Sequence, residues 1–416
     1  MKQKIFYFLA VLILSLKSVI AIADPFAYVT SKGGPGVEVI DTLTNTTLTT
    51  VPVGGCLSIA ISPDGKYAYV DTSTNNINVI ETATNSVIAT IPVGTDTNGI
   101  AVSPDGSFVY VTDGTTNSVF VIDTATNSIL TSFGLGAGAS PQGIVFHPNA
   151  ALAYIINTGF NNVSVVNTST HSPTGTTIAV GTAPTDGVST PTGSFIYVTN
   201  STGGTVSVIN TTTNAVSATI PLGTNPWFIT ITPDGNFVYT ANQGTNDVSA
   251  ISTASNSVIA TIGVGNGPTD VAVTPDGNTL YVVNKPDGTI STIDVATNTL
   301  ISTFPTGVLD PVSIAITPLS ITSQGSLSVT AKSKNDSFMI DSDIYIQLSW
   351  ATPLEGTIPL HYKIYRDGIL IATIAAGDTR TYKDHNRKKN KTYTYEIIAE
   401  DELGPLASTT TTIKAK

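Results

Sequence analysis

A tyrosine opening a short β-rich tetrad recurs seven times in this 416-residue chain: Tyr28 (YVTS), Tyr69 (YVDT), Tyr110 (YVTD), Tyr154 (YIIN), Tyr197 (YVTN), Tyr239 (YTAN) and Tyr281 (YVVN). The spacings are 41, 41, 44, 43, 42 and 42 residues. A second marker keeps step: SPDG at Ser62 and Ser103, HPNA at His147, TPTG at Thr190, TPDG at Thr232 and Thr274, and TPLS at Thr317. A fixed period of this length describes one supersecondary unit repeated, each copy burying its apolar surface against the next.

Each unit breaks into four short β-rich runs, for example FITIT (from Phe228), FVYTAN (from Phe237), VSAIST (from Val248) and SVIATIGV (from Ser257). Val, Ile, Thr and Tyr suit a pleated, packed surface, and the breaks hold Pro, Asp, Gly and Asn, which suit tight turns. Four strands in about 42 residues, seven times over, predict a seven-bladed β-propeller. The repeats begin at a second strand near Phe26 and stop after a first strand, SIAITP, at Ser313 to Pro318. One blade is therefore expected to join strands from both ends of the propeller, removing an open edge.

With the YVTN tetrad, the VSVID-like strand, the TATNSVIATI run and the PDG turn on the page, the chain resembles the YVTN-family β-propeller repeat over about Phe26 to Pro318. The resemblance implies an extracytoplasmic propeller used for binding or interaction, and it supplies no shared catalytic residue.

Residues 1–23 read as a signal peptide: Lys2 and Lys4, an apolar core from Ile5 to Leu16, and Ala21-Ile22-Ala23 before the expected cut. That predicts export to the periplasm or beyond the cell, with no transmembrane segment after cleavage. Cys56 is the only cysteine, which excludes an intramolecular disulfide and reads as a small buried hydrophobe.

Charge changes abruptly near Ile321. Residues 24–321 hold three Lys, no Arg and eighteen Asp plus Glu, whereas residues 322–416 carry twelve basic and eleven acidic residues. The first stretch is read as the propeller domain, and nucleic acid is excluded as its partner because phosphate backbones need Arg or Lys. In the second stretch the period stops. IYIQLSWATP, HYKIYRDGILIATI, TYKD and TYTYEIIAEDELG resemble a fibronectin type III β-sandwich, with Trp350 at the core tryptophan and Tyr393 at the tyrosine corner. The basic run His385 to Lys391 reads as a solvated loop. The fold class expected is thus all-β, a propeller followed by a sandwich.

Groups for chemistry are sparse: residues 24–321 hold two histidines, His147 and His171, and two glutamates, Glu38 and Glu81. His147 stands where other repeats have Ser or Thr and reads as packed; His171 reads as solvated. A phosphogluconolactonase-like site would need Arg for its phosphate, and a streptogramin-lyase-like site would need clustered histidines around a metal; neither is present. No cofactor is expected, and DGTTNS (from Asp113) and NKPDG (from Asn284) offer at most weak calcium binding.

The first strands vary at the two positions that follow the residue seven before the turn proline. Positions that escape a strong repeat are where function can reside. Asn98, Gln142, Asp186, Trp227, Phe228 and Asp270, with Phe160 from a nearby loop, are the candidate ligand-binding residues at one end of the channel. They suit a protein, peptide or glycan ligand. The sequence thus reads as a monomeric, exported, non-enzymatic binding or adhesion scaffold; the alternatives are a lyase- or lactonase-type propeller enzyme and an accessory subunit of a redox or metal-handling system.

Overall fold

The computed structural model describes residues 25–149, 151–318, 329–338, 341–350, 361–367, 369–375, 381–385, 388, 391–401 and 404–414. The proposed signal peptide lies outside them. Two compact units divide the chain at Ser320/Ile321.

The first unit is a seven-bladed β-propeller of four-stranded antiparallel sheets. Blade 1 joins Pro311–Ile316 to Phe26–Ser31, Val37–Asp41 and Thr46–Val51. Blades 2 to 7 follow in chain order, their innermost strands being Cys56–Ile61, Thr97–Val102, Pro141–Phe146, Pro184–Ser189, Pro226–Ile231 and Pro268–Val273. In blade 1, Ala27, Tyr28 and Val29 pair with Ile316, Ala315 and Ile314. No helix of the described residues is long and apolar enough to cross a membrane.

Turn chemistry closes each blade. In the SPDG turn, Ser62 Oγ donates to Asp64 Oδ1 at 2.7 Å and accepts the Tyr67 N–H at 3.0 Å, while Gly65 takes φ +72°. Ser103 and Asp105 repeat the pattern. Between third and fourth strands, an asparagine in the left-handed region (Asn45, Asn85, Asn127, Asn214, Asn256, Asn298) reverses the chain, a conformation Asn tolerates well.

The core lies between blades, with one apolar cluster at each of the seven joints. All seven repeat tyrosines are buried. Tyr28, Tyr197, Tyr239 and Tyr281 donate to Asn85, Asn256, Asn298 and Asn45 of the following blade at 2.6–2.8 Å. In blade 4 that asparagine is His171, whose Nδ1 lies 2.8 Å from the Tyr110 hydroxyl, with the Phe108 ring 4.6 Å away edge-on. His171 is half-buried and clasped between blades, not solvated as expected; burial lowers its pKa. His147 Nδ1 accepts the Asn149 N–H, and its ring lies under the Gly193 turn of blade 5. Cys56 is fully buried at the joint of blades 1 and 2, its thiol pushed up to about 12 by burial.

In the second unit, strands Val329–Phe338, Asp341–Trp350 and Thr381–Asp384 form one antiparallel sheet; Ile369–Ala375, His361–Arg366, Thr392–Asp401 and Gly404–Lys414 form another. Leu348, Tyr362, Ile364, Tyr393, Tyr395 and Ile397 make its core. Buried Asp384 accepts two bonds from Arg366 Nη1 (2.9 and 3.1 Å) and one from the Tyr395 hydroxyl. The Trp350 side chain lies outside what the structure describes.

Candidate active site at the channel mouth

The site begins with a bulge that every blade shares. Along each innermost strand three steps oppose two on the second strand: Cys56 to Ile59 faces Thr72 to Val70, and Pro184 to Gly187 faces Asn200 to Val198. The same slip recurs in the other five blades. A bulge frees residues from the ladder and re-aims their side chains, commonly beside active sites. Apart from Thr269, the residues at which the repeats differ line a central cavity of about 450 Å³, Asp270 doing so from a position still paired with Val283.

Asn98, Gln142, Asp186, Trp227, Phe228 and Asp270 all line that cavity. Phe160 does not. It is 44% exposed, and its ring sits over Gly136 and Gly138 in the loop entering blade 4. The small residues Gly99 and Gly143 have a packing reason. A Cβ on Gly99 would meet the Gln142 carbonyl oxygen at 2.0 Å, and one on Gly143 would meet the Asp186 Cα at 2.9 Å.

Asp186 and Asp270 belong to blades 5 and 7, with Trp227 and Phe228 on the blade between. Asp270 is buried and well provided with donors: Oδ2 accepts from Ser313 Oγ (2.6 Å) and the Ile314 N–H (2.9 Å), and Oδ1 from the Val271 N–H (2.7 Å). Burial still pushes its carboxyl up to about 6. Asp186 is half-buried; the Gly187 N–H lowers its pKa as a donor, and its Oδ2 accepts a long bond from the Ile229 N–H at 3.3 Å. Desolvation by the channel walls, and then the charge of Asp270, raise it to about 7. Thr185 and Thr199 anchor the wall between them by donating to the Trp227 carbonyl at 2.9 and 2.8 Å.

One buried carboxyl was missed by the sequence reading. Asp71, fully buried behind the lining residues Ser58 and Thr97, accepts the Thr97 hydroxyl at 2.6 Å, and burial raises it to about 7. The signal was YVDT, where other copies carry Thr, Ile, Ala or Val before the last residue of the tetrad. The loops considered for calcium spend their carboxylates on the backbone: Asp113 accepts from Thr95 and Thr116, and Asp287 from Asn266.

Two family models match the chain: residues 99–303 the "Lactonase, 7-bladed beta-propeller" family, and residues 23–142 the "Cytochrome D1 heme domain". Hydrazine synthase from Kuenenia stuttgartiensis is similar at TM-score 0.57 and 22% identity, over 62% of this chain and 88% of that one. A candidate 6-phosphogluconolactonase from Bacteroides uniformis has TM-score 0.62 and 16% identity, over 70% and 99%. The dihydro-heme d1 dehydrogenase NirN, in complex with DHE, has TM-score 0.54 and 15% identity, over 71% and 76%. At these identities the likeness to solved structures shows the propeller fold alone. No curated protein matches the sequence.

These matches correct the expectation of a non-enzymatic binding or adhesion scaffold, since one family is described as a lactonase propeller and the other as a haem domain. Histidine, glutamate, cysteine and arginine are sparse in the propeller, but burial changes the chemistry of its aspartates. A haem fits this channel poorly. Iron is held by His, Cys, Met or Tyr, and none of these lines the cavity; nor does any Lys or Arg that would meet haem carboxylates.

Proposed function

We propose that the propeller is a hydrolase of the lactonase type, opening an uncharged cyclic ester at the channel mouth. The observation that carries this is the pairing of half-buried Asp186 with buried, donor-rich Asp270 in one cavity. Two carboxyls in unlike environments take unlike roles. Asp270, with three hydrogen bonds, is the more readily ionised of the two. Asp186, raised toward neutrality, is the general base, since proton transfer is most effective when the group's pKa lies near the working pH.

The proton balance closes on Asp186. Its carboxylate takes a proton from water as the oxygen adds to the ester carbonyl. When the tetrahedral adduct collapses and the ring C–O bond breaks, the protonated carboxyl returns that proton to the leaving alkoxide. The lining carries no cation, so a phosphorylated lactone is disfavoured.

Asp186→Asn is expected to lower turnover of an uncharged γ- or δ-lactone by about 10²–10⁴-fold, without loss of thermal stability. In the wild type, kcat/KM should rise with pH through an inflection near 7, the value for the ligand-free protein. A wild-type protein that opens no uncharged lactone, or an Asp186→Asn variant as active as wild type, would end this reading.

The propeller's assignment to the YVTN repeat group rests on the tetrads. A fibronectin type III-like identity for the second unit is supported by its three- and four-stranded sheets and by the Lys388 N–H donating to the Tyr393 hydroxyl at 3.0 Å. Export rests on residues 1–23.

A further inference from the structure

Directly beneath the carboxyl level the channel changes character. Each innermost strand contributes its next residue to a ring, Ile59, Ile100, Ile144, Ile229, Val271 and Ile314, which lines the same cavity. Gly187 takes the seventh place, and Ile156 and Val145 fill behind it; a Cβ there would stand 3.0 and 3.1 Å from them. These side chains pack mainly into the clusters between blades and meet the cavity at their edges, and the wall continues with Ala272 and, on blade 6, Thr230. The mouth therefore mixes polar side chains (Asn98, Gln142, Asp186) with Trp227 and Phe228, above a throat that is aliphatic apart from Thr230.

We propose that the substrate enters apolar end first, and that the lactones this site takes carry an aliphatic substituent seated in the isoleucine ring. The proposal rests on the lactonase reading for the reacting group and on the throat for the substituent. A charged substituent would lose its hydration against branched aliphatic side chains with no partner for it, whereas an alkyl chain leaves water for a matching surface. The ester carbonyl of such a molecule comes to rest at the level of Asp186.

The test uses two series with the full chain. γ-Lactones with side chains of one to eight carbons are assayed for KM and kcat. 2-Alkylcyclopentanones of the same chain lengths, which have no ester to open, are titrated by calorimetry. Affinity for the ketones should rise about threefold to fourfold per methylene until the throat is full, and KM for the lactones should fall in parallel. Val271→Thr, nearly the same shape but polar, should flatten that dependence; Ile144→Thr provides an independent second variant should the first fail to fold. Chain-dependent ketone binding without lactone opening would support the throat and end the hydrolase reading. Ketone affinity indifferent to chain length, in a protein that opens lactones, would overturn the throat and leave the hydrolase.

Discussion

Asp71 shows at the scale of one residue how burial changes what an aspartate does. It has no surface in contact with solvent, one strong donor in Thr97 and a weaker one in Ser58 at 3.5 Å. Its folded pKa of about 7 lies above the ordinary value near 3.9, so the folded state holds the proton more tightly than the unfolded chain does. The stability this confers is complete below pH ~4 and is lost as pH rises toward 7. Asp186 and Asp270 act in the same direction. Turn aspartates such as Asp105 have lowered pKa values through hydrogen bonds from Ser103 and Ser107, and their contribution is lost only as the medium becomes acidic. Asp71→Asn should therefore stabilise the fold at pH 8 by at most about 4 kcal/mol, raising its melting temperature there and narrowing the gap between pH 5 and pH 8. Thermal unfolding at both pH values reads this directly; equal melting temperatures for variant and wild type at pH 8 would show that the carboxyl is solvated after all.

At the scale of the element, the repeat tyrosine joins blades through its ring and its hydroxyl. Tyr197 donates to Asn256 at 2.6 Å, while buried Tyr154 leaves both its own hydroxyl and the Asn214 Oδ1 without a partner. One tyrosine therefore carries a hydrogen bond that its equivalent lacks. Tyr197→Phe should cost about 1 kcal/mol, whereas Tyr154→Phe should be neutral within about 0.5 kcal/mol or slightly stabilising, because it deletes an unsatisfied buried hydroxyl. Denaturant titration of the two variants settles it, and equal losses would remove the distinction. The blades, the turns and the innermost strands were all legible in the sequence, because period, Pro-Asp-Gly chemistry and left-handed Asn are local matters. Six of the seven nominated site residues meet in one cavity. Phe160 does not, since its loop folds onto a glycine-rich neighbour that a search for variable positions cannot see.

At the scale of the molecule, the ring is closed by hydrogen bonding rather than by a covalent link. Strand Pro311–Ile316 covers the inner edge of Phe26–Ser31, and Glu38 on the adjoining strand accepts the Gly307 N–H at 2.7 Å and the Thr47 hydroxyl. A chain ending at Thr306 should leave that edge open, with Ala27 and Val29 losing Ile314 and Ile316. It is expected to self-associate, whereas a chain ending at Pro318 should remain monodisperse and unfold cooperatively. Size-exclusion chromatography with thermal unfolding compares them, and a monodisperse shorter chain would mean that closure contributes little.

The amino-acid sequence by itself determined the number of blades, the strands and turns within them, and the places where the copies differ. Those properties follow from alternation, turn chemistry and period, which act over a few residues at a time. Only the tertiary structure decided which aspartates would be catalytic candidates. Asp186, Asp270 and Asp71 come from three separate repeats, and their pKa values depend on how much water the other blades exclude and on Asp270 standing near Asp186. Desolvation and charge proximity are properties of the closed ring, and no single repeat contains them.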